Sequence, residues 1–563
     1  KYILNPEKND LGSILNSVVF HDTLGFNLSS ALLNTLNVPM VVAPFLSGGY
    51  GTDKAFAAIG AATKAFMGSK MSAEVEILGA DGRTQKMRVM PSIANYAANT
   101  AMGRHLAPLI KIASRYGQLD RSQLYEMLQA DKSGGFLPRL NAMSGYVFHH
   151  AERMNREVAM MATYNLELER LQRPTNKDRV GIAQMRREME VDENRPVSLD
   201  EATRYYAAKK AVQTTELVNG GISAASAPRI SQHWAGKMFF MYKRYNIAMY
   251  YMLSQELKQA LDKTDTFTPE EKRMAWRRMG GIFGATALLS GVQGIPFFGL
   301  ASLIWSLFAD DDDDDLGTAT RKAIGEFFYK GPIEYMTNLA IAGRVSLADF
   351  MFRESNQGEA DTLFSEQLAD IIGGAAWGDF KRKERGFKKI RDGNIERGIE
   401  DLLPVAAANM LKAGRYFLEG TNSMRGDPIT GDVSSWNVAG QFFGFAPADY
   451  TRQLEKNSRQ KGLQEIITRK ATNLRRKYYM ASRVGDTAGM KDARDELLEL
   501  GREHVGLGVN ASNIRDSLKK SMKAQKETTK RTRHGVQFSK KMLKEIEQDD
   551  REWDQDAFDD DED

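Results

Sequence analysis

Two adjacent histidines inside a helical segment come nearest to the spacing of a metal site. His149 and His150 point to different faces of a helix, and Glu152 follows His149 by three positions, so one His–Glu pair shares a face. A bound Zn²⁺ needs three or four ligands, and Arg153 beside the pair would repel a cation. The spacing therefore predicts histidines that pack or are solvated, and no metal site.

Two other stretches have the composition of an ion site but not its pattern. Gly48–Gly51 reads GGYG, and it lacks the Lys-Ser/Thr that completes a phosphate-binding loop. Asp310–Asp315 is an unbroken run of aspartates, whereas an EF-hand loop alternates its ligands and has a glycine at its turn. We interpret the acidic run as solvated charge, and we expect neither a metal nor a cofactor.

Catalytic chemistry has no signature in this sequence. P-loop, dinucleotide-binding, HExxH and nucleophile-elbow motifs are missing from it. Cysteine is absent as well, which excludes disulfides, Cys-ligated zinc and thiol catalysis. Acidic residues occur throughout, so a nuclease or hydrolase with paired carboxylates stays an alternative, although no spacing singles out a pair. The sequence predicts a protein that is not an enzyme.

Length and composition predict several packing units rather than a disordered chain. The 563 residues are 42% hydrophobic, with a mean hydropathy of −0.44, and single cores rarely grow beyond about 300 residues. Net charge is only +4, so any preference for nucleic acid must be local. The chain begins with Lys1 and shows no secretory signal, so we expect a piece of a longer polypeptide.

Hydrophobic periodicity predicts a mostly α-helical fold, an extended multi-helical assembly protein with one small β-hairpin. Tyr146–Gln172 and Ser198–Asn219 repeat apolar residues every three or four positions, and so does Ser122–Ala130. Ser198 followed by Glu201 predicts a capping box. The exception is residues 73–90, which alternate around Asp81–Gly82, a dipeptide that favours a hairpin turn.

Composition shifts divide the chain into six predicted regions. Residues 1–110 form an N-terminal helical region with the hairpin, and 111–278 form a helical body. Residues 279–315 form an apolar helical hairpin followed by the acidic run, and 316–450 form a helical and loop region. Residues 451–546 form charged basic helices, and 547–563 form an acidic tail.

Met279–Ala309 is the feature that a soluble helical protein does not need. Its 31 residues carry no charge, and about 20 apolar residues suffice to cross a bilayer as a helix. Pro296 breaks the helical hydrogen-bond ladder, so we expect two arms joined near Gly294–Pro296. Gly280 and Gly284 have the small-xxx-small spacing that allows close helix contact, as do Ala287 and Gly291.

Three structures fit this run: a re-entrant hairpin, a kinked span, or helices buried in protein. Arg277–Arg278 and the acidic run flank it and are costly to move through lipid. We predict that the hairpin is covered in a stored form and meets lipid at a later stage. The candidates for membrane contact are Ile282, Phe283, Leu288, Leu289, Ile295, Phe297, Phe298, Leu300, Ile304, Trp305 and Phe308.

A second uncharged stretch, Thr23–Thr52, is less hydrophobic and contains Asn, Ser, Pro39 and Pro44. We predict that this stretch is buried core rather than a membrane segment.

Basic residues cluster in three places, at Lys381–Arg391, Arg469–Lys477 and Lys519–Lys544. Lys and Arg bind phosphates without reading sequence, although for each cluster taken singly a solvated helix face is the favoured interpretation. Glu545–Asp563 is strongly acidic and could cover a basic surface of the same chain or of a neighbour. The DNA-contact candidates are Lys381, Arg382, Lys383, Lys388, Lys389, Arg391, Arg469, Lys470, Arg475, Arg476 and Lys477.

Five stretches of the sequence together carry a resemblance to a known family. Two of them are NLSSALLNTLNVPMVVAPFLSGGYG at Asn27–Gly51 and HHAERMNREVAMMATYNLELE at 149–169. The others are the aromatic-basic segment AGKMFFMYKRYNIAMYYMLSQELKQAL, the run MGGIFGATALLSGVQGIP and the late segment WNVAGQFFGFAPADYTRQLE, so the matches are spread over residues 27–455. Together they resemble the internal virion, or DNA-ejection, proteins of short-tailed phages and related large polyvalent phage proteins, in their C-terminal-type region.

The resemblance implies a helical, homo-oligomeric core protein that forms a ring inside the capsid near the portal. Its implied partners are other copies of itself, other internal virion proteins, the portal and phage DNA, bound without sequence preference. After ejection it would help to form a conduit for DNA across the host envelope, in contact with the inner membrane. Some members carry a peptidoglycan-cleaving transglycosylase domain, and this sequence has no matching segment. The alternative is a capsid-internal scaffold, or a segment of a polyvalent phage protein, that never enters a membrane.

Overall fold

The structure is a computed structural model that describes residues 11–68, 73–78, 84–89, 105–116, 118, 144–220, 244–264, 266–308, 315–345, 360–423, 426–533 and 535–546. Four predicted features lie outside the described residues: the turn Asp81–Gly82, the helix Ser122–Ala130, the first five aspartates of the acidic run, and the acidic tail 547–563. The chain divides into two compact units, Lys1–Ser355 with Glu359–Lys456, and Asn356–Gly358 with Asn457–Asp563.

The fold is mostly α-helical, as predicted. The helices of the first half of the chain are α1 Leu11–Thr23, α2 Leu28–Thr35, α3 Ala43–Tyr50, α4 Thr52–Gly68, α5 Ala107–Arg115, α6 Tyr146–Arg170, α7 Asn176–Glu193, α8 Leu199–Val218, α9 Arg244–Ala260 and α10 Pro269–Ser290. Those that follow are α11 Phe298–Phe308, α12 Leu316–Lys330, α13 Pro332–Thr337, α14 Ala342–Val345, α15 Ala360–Arg391, α16 Ile395–Leu402, α17 Val405–Glu419, α18 Ser435–Phe442, α19 Ala448–Val484, α20 Thr487–Glu503 and α21 Ala511–Arg531.

The core of the first unit is built around α6. This helix buries an unbroken stretch from Asn155 to Tyr164, so it contacts protein on all sides at its centre. Its neighbours are α2, α4 and α8. A helix that is buried all round must satisfy its polar groups internally, and Glu157, which is fully buried, accepts a hydrogen bond from Arg153 at 2.7 Å.

The residues at the two ends of helix α8 determine where the helix begins and ends. The hydroxyl of Ser198 accepts a hydrogen bond from the Glu201 backbone amide at 3.1 Å, which begins the helix at the predicted residue and forms the serine half of the predicted capping box. The Glu201 carboxylate accepts a hydrogen bond from Arg195 at 3.0 Å. The helix ends at Val218, and Gly220 follows with φ of +66°, a conformation that glycine adopts without strain. The predicted helix at Ser198–Asn219 is therefore confirmed to within a residue at either end.

The stretch Thr23–Thr52 is buried core, as predicted. Helices α2 and α3 join through a π-helical turn at Val38–Val42, and Val41, Val42 and Leu46 are fully buried. Within the described part of the chain, Leu28–Tyr50 is the one helical segment that is long and apolar enough to cross a membrane, with a mean hydropathy of 1.3 over an 18-residue stretch. However, 61% of that 18-residue stretch is buried inside the protein, which favours a core role.

The second unit packs three helices around a small core of its own. Ala471 and Leu474 from α19 meet Leu497 and Leu500 from α20, and Ile514 from α21 completes the cluster. Gly485, with φ of +78°, separates α19 from α20, and Asp486 caps α20 through a hydrogen bond from the Gly489 amide at 2.9 Å.

Two antiparallel strand pairs occur among the described residues. β1 Ala73–Leu78 pairs with β2 Thr84–Val89, with Leu78 opposite Thr84. This register centres the hairpin on residue 81, where the sequence predicts it. The second pair, β3 Thr532–Arg533 with β4 Val536–Gln537, was not predicted. Strands of two residues are too short to show an alternating pattern, which is why sequence reasoning missed them.

Candidate functional site

The apolar run folds as two helical arms, which confirms the predicted break. The first arm is the end of α10, and the second arm is α11. A 3-10 turn at Val292–Gly294 and an extended residue, Ile295, join them. The chain leaves the first helix at Gly291, whose φ is +69°, five residues before Pro296. The break is therefore made by a glycine in a positive-φ conformation together with the proline.

The joint between the arms is closely packed. A Cβ on Gly291 would lie 2.1 Å from the carbonyl oxygen of Tyr329 and 2.5 Å from the nitrogen of Gly331, so a side chain has no room there. The ring of Phe297 lies 5.1 Å from that of Tyr250, and the ring of Phe298 lies 6.2 Å from that of Tyr329. These contacts attach the joint to helices α9 and α12.

The first arm belongs to the core of its unit. Met279, Ile282, Thr286 and Ser290 are buried along one face of α10. This face packs against α3, where a Cβ on Gly281 would lie 3.0 Å from Pro44. Of the two predicted small-xxx-small pairs, the first is not a point of close contact, because a Cβ on Gly280 or Gly284 would meet no described atom within 4 Å. The close approach to α3 occurs one residue away from that pair, at Gly281. In the second pair, Ala287 with Gly291, Gly291 does lie at a close contact, the one with Tyr329 and Gly331.

The exposed side chains of the hairpin lie mostly on the second arm. Four of the membrane-contact candidates are open to solvent: Leu288 at 61%, Ile304 at 48%, Trp305 at 43% and Phe308 at 84% of their surface. Ile282 is fully buried. The remaining candidates are half-buried: Phe283, Leu289, Ile295, Phe297, Phe298 and Leu300. Four candidate side chains can therefore contact a bilayer directly, whereas the others can do so only after the protein core has opened.

Both ends of the hairpin are fixed by charged residues with local roles. At its start, the guanidinium of Arg278 donates a hydrogen bond to the Glu256 carboxylate at 3.0 Å. After its end, Asp315 accepts a hydrogen bond from the Thr318 amide at 3.0 Å and caps helix α12. The last aspartate of the acidic run is thus an N-cap, a role that its position before a helix-forming segment could have predicted.

The basic cluster at Lys381–Arg391 is largely neutralised within the protein. Arg382 forms ion pairs with Asp22 and Asp379, and Lys383 reaches the same Asp22 at 2.7 Å. Burial lowers the pKa of the Lys383 ammonium. Two further candidates have partners, since Lys389 pairs with Asp401 at 2.6 Å and Lys381 lies over the Trp377 ring at 5.7 Å. Lys388 and Arg391 are the exposed members of the set.

The second cluster lies on the solvent side of helix α19. Ala471 and Leu474 bury the opposite side. Arg469, Lys470, Arg476 and Lys477 are exposed, and Arg475 is half-buried. Arg469 and Arg476 are seven residues apart, so they lie above one another on the helix, and exposed Arg483 continues the row by another seven.

Helix α21 carries a longer basic row, most of which lies in the predicted basic cluster Lys519–Lys544, although none of its residues is among the predicted DNA-contact candidates. Arg515, Lys519, Lys523, Lys526 and Lys530 are all exposed and follow one another at intervals of three or four residues. Such intervals place them within about 80° of each other around the helix axis. We call this row the α21 basic stripe. The helical spacing in the sequence is the signal that could have found it.

The two adjacent histidines show no metal-binding arrangement. Burial, together with the charges of Arg153, His150 and Arg156, lowers the pKa of His149 to about 4. The same causes, burial and Arg153, lower the pKa of His150. Among the residues that the structure describes, no group of three or more His, Asp or Glu side chains is placed to hold a metal ion.

Comparison with known proteins returned no match. No protein-family model, no curated protein and no solved structure matches this chain.

Proposed function

We propose that this chain is a structural, non-enzymatic internal virion protein of a short-tailed phage. In this proposal it forms a homo-oligomeric ring in the capsid and is ejected to help form a DNA conduit across the host envelope. The observation that carries the proposal is the apolar hairpin in an otherwise charged protein, with Leu288, Ile304, Trp305 and Phe308 exposed at its surface. The sequence resemblance to DNA-ejection proteins agrees with this use of the hairpin.

The geometry limits how the hairpin meets a bilayer. Helix α11 has 11 residues, which span about 16 Å, roughly half of a 30 Å hydrocarbon core. It is therefore long enough to enter one leaflet but not to cross both. A full crossing needs the first arm as well, and that arm must then leave the core that holds Ile282. We infer that contact begins at α11 and Leu288, with the aromatic side chains near the interface.

The second unit supports the DNA-binding part of the proposal. Arg469, Arg476 and Arg483 on α19 and the α21 basic stripe are exposed to solvent. In the first unit, Arg382 and Lys383 instead pair with the buried carboxylate of Asp22. Phosphate contacts from exposed cations are independent of base sequence and sensitive to salt. Both properties suit a protein that touches packaged DNA at many positions.

A capsid-internal scaffold that never enters a membrane is the second candidate function. The observation that favours it is the burial of the first arm, since Met279 and Ile282 belong to the main hydrophobic core of their unit. In that case the exposed side chains of α11 contact another copy of the chain or another internal virion protein.

Flotation with anionic phospholipid vesicles separates the two functions. We expect the full chain to float with the vesicles, and the double variant Ile304→Asp with Phe308→Asp to lose most of that binding, because a carboxylate in lipid costs about 2.5–3.5 kcal/mol. The matched control is Phe417→Asp with Leu418→Asp, which changes two apolar side chains that are also exposed, on α17. It should bind like the unmodified chain.

Circular dichroism checks that both double variants remain folded. Equal flotation of the two variants would overturn membrane contact through α11 and favour the scaffold. A map of the intact phage particle tests the ring separately, since it shows whether the chain surrounds the portal axis.

A further inference from the structure

Within the second unit, residues 457–546 and the acidic tail, residues 547–563, carry large opposite charges. Residues 457–546 contain 22 lysines and arginines against 10 aspartates and glutamates, a net charge of +12. Residues 547–563 contain 11 acidic residues against a single arginine, a net charge of −10. The chain's overall charge of +4 hides this separation.

The α21 basic stripe is a row of regularly spaced positive charges in this unit. It runs from Arg515 to Lys530, which corresponds to about 22 Å along the helix axis. The buried face of the helix, marked by Ile514, lies roughly on the opposite side. Asp516 and Glu527 lie on the same helix, and no described carboxylate forms an ion pair with Lys519, Lys523, Lys526 or Lys530.

The tail begins within reach of this stripe. After α21 the chain turns back, because the amide of Phe538 donates to the carbonyl oxygen of Arg531 at 2.9 Å. A helical segment at 540–546 follows, and the side chain of Leu543 is buried. The 17 residues of the tail extend to roughly 55–60 Å at full stretch, more than twice the length of the stripe.

We propose that residues 547–563 dock along the α21 basic stripe of the same chain and occupy it in place of nucleic acid. The stripe offers regularly spaced ammonium groups, and the tail offers carboxylates over a sufficient length. Because both partners are at the surface, the contact is screened by salt and weakens as the Debye length falls below about 10 Å. A polyanion such as duplex DNA competes for the same cations, so the tail sets a threshold for nucleic-acid binding by this unit.

This contact goes beyond the proposed phage role, because it exists in the isolated chain and needs no membrane or particle. The absence of native cysteine makes it directly measurable. Spin labels are attached to the full chain at two positions. One is Ala524→Cys, which is exposed on α21 about 100° around the helix axis from Lys523 and so leaves the stripe unmodified, and the other is Asp556→Cys in the tail. Electron–electron double resonance then reports the distance between the two labels.

We expect a short-distance population of about 15–30 Å at low salt, comparable to the length of the stripe. This short-distance population should disappear at about 0.5 M salt. It should also disappear in the triple variant Lys519→Glu, Lys523→Glu and Lys526→Glu. The matched control reverses three exposed lysines on α19 and α20, Lys461→Glu, Lys477→Glu and Lys491→Glu, and should keep the population.

The proposal is overturned if the two triple variants give the same distance distribution. It is also overturned if the short distances vanish when labelled chains are diluted with unlabelled ones, because the tail then docks on another copy. A second measurement is anisotropy of a labelled DNA duplex of about 20 base pairs. Replacing the tail acids by Asn and Gln should tighten binding about tenfold at 50 mM salt and have little effect at high salt. Unchanged binding at both salt concentrations contradicts the competition.

Discussion

The guanidinium of Arg278 lies 4.1 Å from the centre of the Phe45 ring. Arg278 precedes the apolar run, and Phe45 belongs to the uncharged stretch near the N-terminus, so this contact joins the two most apolar segments of the chain. The same guanidinium pairs with Glu256, whose side chain is only 6% exposed. A flanking arginine thus anchors the first arm of the hairpin in the core.

Replacing Arg278 by alanine should destabilise the first unit by about 3 kcal/mol. The change leaves the Glu256 carboxylate buried without its partner, and breaking a buried ion pair on one side is costly. It also removes the cation above the Phe45 ring. Urea unfolding measures the loss. Arg277→Ala is the matched control, because its side chain is exposed and surface changes cost about 0.5 kcal/mol or less. Equal midpoints for the two variants would contradict the anchoring role.

Gly291→Ala should destabilise the joint of the hairpin by about 2–4 kcal/mol, since it adds both backbone strain and a steric clash. The new Cβ would lie 2.1 Å from the Tyr329 carbonyl oxygen, at a φ of +69°. Gly284→Ala, in the exposed interior of α10 with no atom near its Cβ position, should instead stabilise by roughly 0.5–1 kcal/mol. Opposite shifts in the thermal midpoint confirm the pair of predictions, and shifts of the same sign refute them.

The sequence was sufficient for elements that depend on local chemistry. Pro296 predicts the break in the apolar run, Ser198 predicts the start of α8, and Asp81–Gly82 predicts the centre of the hairpin. The sequence was insufficient where tertiary packing decides. The face of α10 that turns toward α3 carries Gly281 rather than the predicted Gly280 and Gly284, because its orientation is set by Pro44 and Phe45, more than 200 positions earlier in the chain.

The candidate sites show the same limit. The cluster at Lys381–Arg391 has the composition of a DNA-binding surface, but Asp22, some 360 positions away, neutralises Arg382 and Lys383. Charge density alone does not reveal such a partner. Residues whose partners lie on their own helix are easier to predict, and the regular spacing of the α21 basic stripe could be read from the sequence without a structure.

Stability should fall as the pH drops from 6.5 toward 4, partly because of His149. Burial lowers its pKa from the ordinary 6.5 to about 4 in the folded protein, so the unfolded chain binds the proton first and acid favours unfolding. The shift corresponds to at most about 3 kcal/mol, fully present above pH 6.5. The contribution of Asp178 stays nearly constant in this window, because its ordinary pKa of 3.8 and its folded pKa, which Arg170 holds far below that value, both lie under pH 4.

The test is urea unfolding at a series of pH values for the unmodified chain and for His149→Gln. The variant should lose less stability between pH 6.5 and 4, because glutamine does not titrate. If the free energy of unfolding falls with pH equally in the two proteins, protonation of His149 does not limit acid stability.

Reversing the charge of the α19 arginines should weaken DNA binding without unfolding the protein. Arg469→Glu, Arg476→Glu and Arg483→Glu change one exposed helix face. Each lost phosphate contact should reduce the slope of log affinity against log salt by about 0.9. Binding is measured by anisotropy with labelled duplex between 50 and 300 mM salt.

The contrasting variant for this prediction, Arg382→Glu with Lys383→Glu, places two carboxylates beside Asp22 and should lower the unfolding midpoint. Its effect on DNA binding should be small at temperatures where it stays folded, because the two cations it removes are already paired inside the protein. The opposite result is that this variant stays fully stable and loses DNA binding, while the α19 variant still binds DNA. In that case the ion pairs within Lys381–Arg391 do not prevent DNA binding, and the DNA interface lies in the first unit.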